Sequence, residues 1–290
     1  MTEVGAPAGV SFETARAEDF EDLLALRIRA MRESLQRIGR FDPKRARERL
    51  AAGFDASATQ HIVVDGQRVG FVVLKTLSHN LWLKHLYIDP PFQGRGIGTQ
   101  VMAWVIQRGE AAQVPVEVAA LKGSDANRFY QRHGFHAIAE GDFDIEYVRL
   151  PTWPSVQVVR QLWAAFEARD WRRARALLRD DLQATWWTSG ERFTNADVFI
   201  RAQADYPEGW QIRLIECERL EDGRVMSVVR VDQPPHHFYA TSIFLLDDGR
   251  IVAIDEYWAT ADAPPAWRDA LDAAGRQRFD ARDDARATPP

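Results

Sequence analysis

The segment of the sequence best suited to bind an anion is a glycine-rich loop, Gln93-Gly94-Arg95-Gly96-Ile97-Gly98. It follows a predicted strand and precedes a predicted amphipathic helix, so its backbone N–H groups and the positive end of the helix would face an approaching phosphate. The glycines let a ligand come close, and Arg95 adds a cation that can donate two hydrogen bonds. The spacing predicts a phosphate-binding loop; the alternative interpretation is an ordinary glycine-rich turn.

Two familiar phosphate-binding motifs do not fit this loop. A dinucleotide fingerprint needs a strand-helix-strand unit with an acidic residue about 20 positions further on, and none surrounds residues 93–98. A Walker A loop needs Gly-Lys-Ser/Thr, which does not follow here. We therefore expect a phosphate-bearing ligand of another class.

Mixed α/β elements surround the loop. Residues 61–75 have the pattern of two strands joined by an Asp65-Gly66 hairpin turn. Ile97, Val101 and Val105 recur at helical spacing and predict one buried helix face. The predicted order is strand 12–16, helices 18–30 and 44–52, strands 61–65, 68–75 and 81–89, helix 97–110, strand 116–121, helix 125–133, and strands 135–139 and 143–150.

Three motifs occur in a recognisable order in this half of the chain. Gln93, Gly96 and Gly98 match the pattern Gln/Arg-x-x-Gly-x-Gly/Ala at the start of a helix. Residues 86–90 form the strand that leads into the loop, and residues 126–135 form a later helix that ends in Tyr-x-x-x-Gly-Phe. Residues 12–150 thereby resemble the GNAT superfamily of acyl-CoA-dependent N-acyltransferases. The resemblance implies an α/β domain with a mixed sheet whose central strands splay apart.

The resemblance also implies acetyl-CoA as co-substrate, held between strands 81–89 and 116–121. The backbone near Leu86 would polarise the thioester carbonyl, as an oxyanion site does. An asparagine that often contacts the cofactor in this family is replaced by Ser124, so Ser124 or Asn127 would substitute for it. The implied cofactor-binding residues are Leu86, Tyr87, Ile88, Gln93, Gly94, Arg95, Gly96, Ile97, Gly98, Thr99, Ser124 and Asn127.

Two residues are candidates for catalysis. Tyr130 matches the tyrosine that in many members of the family protonates the departing thiolate, and a phenol with a pKa near 10 stays protonated at neutral pH. The alternative is that Tyr130 only packs against the sheet. His85 lies on the strand beside the acyl site and could act as the base; the alternative is a packed or solvent-facing histidine.

The amine acceptor would bind between residues 29–41 and the hairpin 141–147, the variable parts of this fold. Asp142, Asp144 and Glu146 could attract a cationic amine there, or form a solvated charged hairpin.

The second half of the chain orders its elements differently. Helices are predicted over 156–169, 171–179 and 195–204 with a strand over 182–188, and four strands follow over 211–220, 224–231, 236–246 and 251–258. Asp222-Gly223 and Asp248-Gly249 are strong hairpin turns. This order, with the ending Asp255-Glu256-Tyr257-Trp258, resembles the nuclear transport factor 2-like superfamily, which includes polyketide-cyclase-like proteins. The resemblance implies an α+β cone of three helices on a curved antiparallel sheet, with an apolar pocket, and a homodimer.

The residues expected in this second pocket are Trp187, His237, Tyr239 and Asp255. His236 and His237 are neighbours on a strand and point to opposite faces, so they would not chelate one metal, and no metal site is expected. Asp255 and Glu256 are related in the same way, which argues against a paired-carboxylate acid–base site.

Composition limits the class of protein. The chain has 290 residues, enough for two domains, and 46% hydrophobic with 27% charged residues is typical of globular proteins. A net charge of −5 and the lack of an apolar run of about 18 residues argue against nucleic-acid and membrane partners. Residues 1–10 lack a signal-peptide pattern and Cys217 is a single cysteine, which together favour a cytoplasmic protein.

Domain boundaries follow from the two prolines in Pro151-Thr152-Trp153-Pro154, which can continue neither a helix nor a central strand. We expect a GNAT domain over 1–150, a linker over 151–154, a nuclear transport factor 2-like domain over 155–275 and a disordered tail over 276–290.

The leading functional hypothesis is an acetyl-CoA-dependent N-acetyltransferase that acts on a primary amine of a small molecule or peptide by direct attack on the thioester. The second domain would bind an apolar ligand or mediate dimerisation. One alternative is a CoA-binding, ligand-sensing protein without efficient transfer. The other is an isomerase or hydrolase in the cone domain, with the first domain accessory to it.

Overall fold

The computed structural model describes residues 9–37, 39, 41–261, 263–269 and 276. The chain divides into two compact units, Met1–Thr152 and Trp153–Pro290. Apart from Arg276, the tail predicted over 276–290 lies outside the described residues. Within the described part of the chain, no helix has both the length and the apolar character needed to cross a membrane.

The first unit is built on a seven-stranded mixed sheet with the order β1-β2-β3-β4-β5-β7-β6. Its strands are β1 (Ser11–Thr14), β2 (Thr59–Val64), β3 (Gln67–Thr76), β4 (Leu81–Ile88), β5 (Val116–Leu121), β6 (His136–Glu140) and β7 (Asp144–Arg149). Neighbouring strands are antiparallel except β4 and β5, which are parallel. The predicted mixed α/β class is confirmed for this unit.

Helices cover both faces of this sheet. They are α1 (Phe20–Arg37), α2 (Pro43–Ala51), α3 (Ile97–Ala112) and α4 (Asp125–Arg132). On one face Leu23 of α1 and Leu50 of α2 pack with Phe71 of β3. On the other face Val101 of α3 packs with Leu83 of β4 in a separate core cluster. The sheet is therefore the middle layer between two hydrophobic cores.

The central strands β4 and β5 pair only over their first residues. Their register runs from Leu81 and Val116 to Leu83 and Val118, and the strands separate beyond it. This separation confirms the predicted splaying. The carboxyl-terminal half of β4 therefore has its edge toward β5 free of strand pairing.

A β-bulge interrupts β4 at the same place. Val73 of β3 is opposite His85, whereas the next residue, Leu74, is opposite Leu83, so Lys84 is an extra residue on β4. The extra residue reverses the alternation of side chains. His85 and Tyr87 consequently point toward Phe71 and the α1–α2 layer, while Leu86 joins the α3 layer.

A buried carboxylate holds the start of α1 against the sheet. Asp19, which is 9% exposed, accepts a 2.7 Å hydrogen bond from the backbone N–H of Arg16. It also lies 3.1 Å from Nε2 of His61 and 3.1 Å from Nη1 of Arg68. The hydrogen bonds from Arg16 and then His61 lower the pKa of Asp19 to about 2.

Asp19→Asn should therefore lower the free energy of unfolding by about 1 kcal/mol at pH 7. A depressed pKa in the folded state stabilises the fold above the unfolded pKa near 3.8, and this contribution is lost as the pH falls toward 2. Urea unfolding of both proteins between pH 7 and pH 3 measures the difference, which should shrink at the acid end. Asp22→Asn, on the exposed side of α1, is the matched control and should change little.

The second unit contains a six-stranded sheet with the order β10-β11-β12-β13-β8-β9. Its strands are β8 (Leu178–Trp186), β9 (Glu191–Phe193), β10 (Gln211–Arg219), β11 (Val225–Gln233), β12 (His236–Asp247) and β13 (Arg250–Thr260). Its helices are α5 (Ser155–Glu167), α6 (Trp171–Ala176) and α7 (Ala196–Ala204). Three helices before a four-strand meander confirm the predicted α+β class.

Two local features of this unit differ from those predicted from the sequence. The helix predicted over 171–179 ends at Ala176, because Leu178 already begins β8. Leu177 and Leu178 are both buried, and a short apolar run of this kind suits a helix or a strand equally well. The three-residue strand β9 was not predicted, since it is too short to show alternation.

Candidate functional site

The loop between β4 and α3 has the backbone geometry of an anion-binding site. Gly94 and Gly96 have φ angles of +74° and +78°, which are strained for residues with a side chain. Gly96 is the residue that immediately precedes α3, and no side chain caps the helix there. The first N–H groups of α3 are therefore available to an external acceptor.

Neighbouring side chains brace the loop. Nε2 of Gln93 donates a 2.8 Å hydrogen bond to the carbonyl of Ile88, which ties the start of the loop to the end of β4. The guanidinium carbon of Arg95 lies 5.3 Å from the centroid of the Phe92 ring. A Cβ atom at Gly98 would lie 3.6 Å from Phe129 of α4, so the first turn of α3 packs closely against that helix.

A chain of polar groups lies on the α1–α2 side of β4. Nε of Arg27, a buried arginine, donates a 3.3 Å hydrogen bond to the Tyr87 hydroxyl, and that hydroxyl lies 3.4 Å from Nδ1 of His85. Arg27 also donates to the carbonyl of Ala46 on α2 at 2.5 Å. The structure thus brings His85 and Tyr87 together with a cation that the sequence pattern did not single out.

The charge around His85 is positive. Burial, followed by the nearby charges of Arg27, Lys84 and Lys75, lowers the pKa of His85 to about 3. Burial also lowers the pKa of Lys84. At pH 7 the imidazole is neutral, and a group with so low a pKa takes a proton only weakly from an ammonium ion.

Tyr130 lies deep in the core of the first unit, 7% exposed, with its ring 5.7 Å from Phe135 and 6.1 Å from Tyr147. Burial, and to a lesser extent the neighbouring Tyr87, raises the pKa of Tyr130. The phenol is consequently a proton-bearing hydrogen-bond donor at neutral pH.

Ser124 and Asn127 use their side chains within the protein. Oγ of Ser124 donates to the carbonyl of Leu121 at 2.7 Å. Nδ2 of Asn127 donates to the carbonyls of Leu121 and Ser124, both at 2.8 Å, and its Oδ1 accepts from the Tyr147 hydroxyl at 3.0 Å. These bonds hold α4 to the end of β5 and to β7, which positions Tyr130 one turn further along.

The second unit encloses a cavity of about 260 Å³ between its helices and its sheet. Aromatic side chains form most of its wall, among them Trp163, Phe166, Trp186, Trp210, Phe238 and Trp258.

The four residues predicted for this pocket do not line it. Trp187, His237, Tyr239 and Asp255 belong to the opposite, outer face of the sheet. Because side chains alternate along a strand, each of them is one position away from a residue of the inner face. Trp186 and Phe238 line the cavity, and Glu256 is buried at 2% exposure.

Contacts on the outer face show how the predicted residues are held there. Nδ1 of His237 lies 2.8 Å from Asp232, which also forms ion pairs with Arg230 and Arg213. Trp187 stacks on Tyr257 with 8° between the ring planes, and its indole N–H donates to Asp255 at 2.8 Å. The sequence does contain an indication of the inner face. Ala240 and Phe244 are buried at even spacing from Phe238 on β12, and Ile254 is buried two positions from Glu256 on β13.

Among the described residues there is no group of three or more His, Cys, Asp or Glu side chains that could hold a metal ion.

The segment of the first unit that contains the splayed parallel strands and the glycine loop is similar to a known family of domains. Residues 57–137 match the acetyltransferase (GNAT) domain. This range contains β2 to α4, including the loop and the separating strands. This part of the first unit is therefore similar to a GNAT domain.

Individual relatives are similar to parts of the chain. An aminoalkylphosphonate N-acetyltransferase of Salmonella typhimurium is 36% identical over an alignment of 81 positions that covers 24% of this chain and 51% of that protein. The chain thus spans about half the length of this curated relative.

Solved structures resemble each half of the chain. The PaiA N-acetyltransferase of Thermoplasma acidophilum, in complex with coenzyme A, is 13% identical, with 49% of this chain and 98% of that chain covered and a TM-score of 0.42. An NTF-2 like protein of unknown function from Burkholderia xenovorans LB400 is 18% identical, with 43% and 96% covered and a TM-score of 0.36.

Gly96→Glu should abolish acetyl-CoA binding, because the new carboxylate would repel a pyrophosphate at the start of α3. In the unsubstituted protein, acetyl-CoA at about 100 times its Kd should raise the unfolding midpoint of the first unit by about 5 °C. Differential scanning calorimetry with and without the ligand measures the shift.

Gly66→Glu is the matched control. Gly66 has a φ of +76° and, like Gly96, no atom within 4 Å of the position of a Cβ, but it lies in the β2–β3 turn. The backbone strain is the same in both variants, so only Gly96→Glu should lose the shift. An equal loss of the midpoint shift in both variants would show that the loop is not part of the binding site.

Proposed function

We propose that the first unit transfers an acetyl group from acetyl-CoA to a primary amine of a small molecule or peptide. The observation that carries the proposal is the glycine loop at the start of α3, directly beside the gap between β4 and β5. The match of residues 57–137 to the acetyltransferase domain supports it.

The cofactor contacts in this proposal come from two segments. Backbone N–H groups of Gly94 to Thr99 would bind the pyrophosphate, with Arg95 adding positive charge. The unpaired edge of β4 at Leu86 to Ile88 would bind the pantetheine chain and donate to the thioester oxygen as it gains negative charge. Ser124 and Asn127 would contribute by holding α4 in place.

Transfer requires the amine nitrogen to attack the thioester carbonyl carbon, so a C–N bond forms and the C–S bond breaks. The attacking nitrogen loses a proton and the sulfur leaves as a thiolate. We infer that Tyr130 donates a hydrogen bond or proton to that sulfur, since its raised pKa keeps the phenol protonated. The low pKa of His85 keeps its imidazole neutral, so in this proposal it orients a water molecule beside the amine, and the ammonium proton leaves to solvent.

The acceptor in this proposal carries an anionic group beside its amine. Arg27, Lys75 and Lys84 surround His85 and give the α1–α2 side of β4 a positive potential. A phosphonate, phosphate or carboxylate would be attracted there. The relative from Salmonella typhimurium, named for aminoalkylphosphonates, is consistent with such an acceptor.

Tyr130→Phe should lower kcat by about 100-fold with little change in KM, because the phenol acts on the leaving group rather than on binding. Steady-state assays of thiol release with a turned-over amine measure both constants. Tyr147→Phe is the control: it removes a hydroxyl that donates to Asn127 and costs about 1 kcal/mol of stability, but should leave kcat within about twofold. An unchanged kcat in Tyr130→Phe would exclude Tyr130 as the proton donor.

Lys84→Met should raise KM about tenfold for an aminoalkylphosphonate, since the change removes one half-buried charge near the acceptor. KM for an alkylamine of the same length that lacks the anionic group should not rise. Lys44→Met, on the exposed side of α2, removes a charge elsewhere and serves as control. Equal KM changes for both amines would contradict an anionic acceptor.

A further inference from the structure

The cavity of the second unit has an unusual balance of side chains for a binding site. Of its thirteen lining residues seven are aromatic, and Glu191 is the acidic one. No lysine, arginine or histidine is among the described residues that line it. The charge of the wall therefore favours neither a phosphate nor a carboxylate ligand.

A buried carboxyl group lies directly behind this wall. Ser227, Ser242, Glu256 and Trp186 are successive register partners across β11, β12, β13 and β8. Glu256 accepts hydrogen bonds from the indole N–H of Trp186 and, at 3.0 Å, from Oγ of Ser242. Burial raises the pKa of Glu256, while the hydrogen bonds from Ser242 and Trp186 oppose that shift.

The pairing of Glu256 with Trp186 changes what the indole ring can bind. A hydrogen bond from the indole N–H to a carboxylate pushes electron density into the ring and strengthens its negative face. A cation over that face is attracted to the ring quadrupole, most strongly for tryptophan. A cation in the cavity would in turn favour the ionised form of Glu256.

The wall already stacks with one cation. The guanidinium carbon of Arg169, which is not a lining residue, lies 3.4 Å from the centroid of the Trp210 ring. Aromatic cages of this composition suit alkylated ammonium ions, whose weak hydration makes them inexpensive to bury.

We propose that the cavity of the second unit binds an organic cation with an alkylated ammonium group, held by Trp163, Trp186 and Trp258 and by the carboxyl groups of Glu256 and Glu191. An apolar neutral ligand would fill the same volume, but it would gain nothing from either carboxyl group.

The test compares two molecules of the same shape that differ in charge. Isothermal titration calorimetry of the full-length protein, without acetyl-CoA, would measure Kd for choline and for its uncharged carbon analogue 3,3-dimethylbutan-1-ol. Choline should bind at least about fivefold more tightly. Equal binding of both, tighter binding of the alcohol, or no detectable binding of choline would overturn the proposal. Because acetyl-CoA is absent, the result is independent of acetyl transfer.

The two faces of the sheet supply a matched pair of variants. Glu256 and Asp255 are adjacent carboxyl groups, and each accepts a hydrogen bond from one of two adjacent tryptophans. Glu256→Gln should weaken choline binding at least about fivefold and leave the alcohol unaffected, whereas Asp255→Asn on the outer face should alter neither.

A second variant covers the case in which Glu256→Gln does not fold. Glu191 is exposed at the cavity wall, so Glu191→Gln should fold normally and weaken choline binding by about twofold or more. Choline binding that is unchanged in Glu191→Gln, and in Glu256→Gln where that variant folds, would show that the cavity does not recognise the charge.

Discussion

The early separation of β4 from β5, after Leu83 and Val118, is the constraint on which the candidate acyl-transfer site depends. If the two strands stayed paired to their ends, the backbone groups of β4 beyond Lys84 would form hydrogen bonds with β5 and could not bind a ligand. Because they part, α3 and α4 each begin close to the carboxyl end of a separated strand, and both helix starts flank the gap. The positive ends of two helices and one unpaired strand edge thus lie around the gap. These are backbone groups, so the arrangement needs no particular side chain.

Much of the first unit could be predicted from sequence because the signals are local. Glycines at positions 94 and 96 permit the left-handed backbone that the loop adopts, and the helical repeat of α3 starts directly after them. The bulge at Lys84 could not be predicted in this way. It depends on pairing with β3, a contact distant in sequence, so the alternation of β4 alone does not reveal that His85 and Tyr87 turn toward α1 and α2. The position of Arg27 beside them also depends on a contact between residues distant in sequence.

For the second unit, the order of helices and strands could be predicted from the sequence. The face of the sheet to which each side chain points could not. Trp186 and Trp187 are identical residues on adjacent positions, as Asp255 and Glu256 are similar ones, and only the helix layer decides which of each pair is covered. Aromatic residues occur on both faces of this sheet, which weakens the usual contrast between apolar and polar sides. Every second position of β12 and β13 indicates the buried face, because small and branched apolar residues such as Ala240 and Ile254 occur there.

The single extra residue in β4 separates the identity of a side chain from the face of the sheet on which it lies. Substitutions at positions 85 or 87 alter the size or polarity of a group on the α1–α2 side. If the same residues paired regularly with β3, without the bulge, every side chain after Leu83 would turn to the other face, so that Lys84 and Leu86 would replace His85 and Tyr87 on that side. A change in strand pairing would therefore exchange the groups that face α1 and α2 with those that face α3, without any change of sequence.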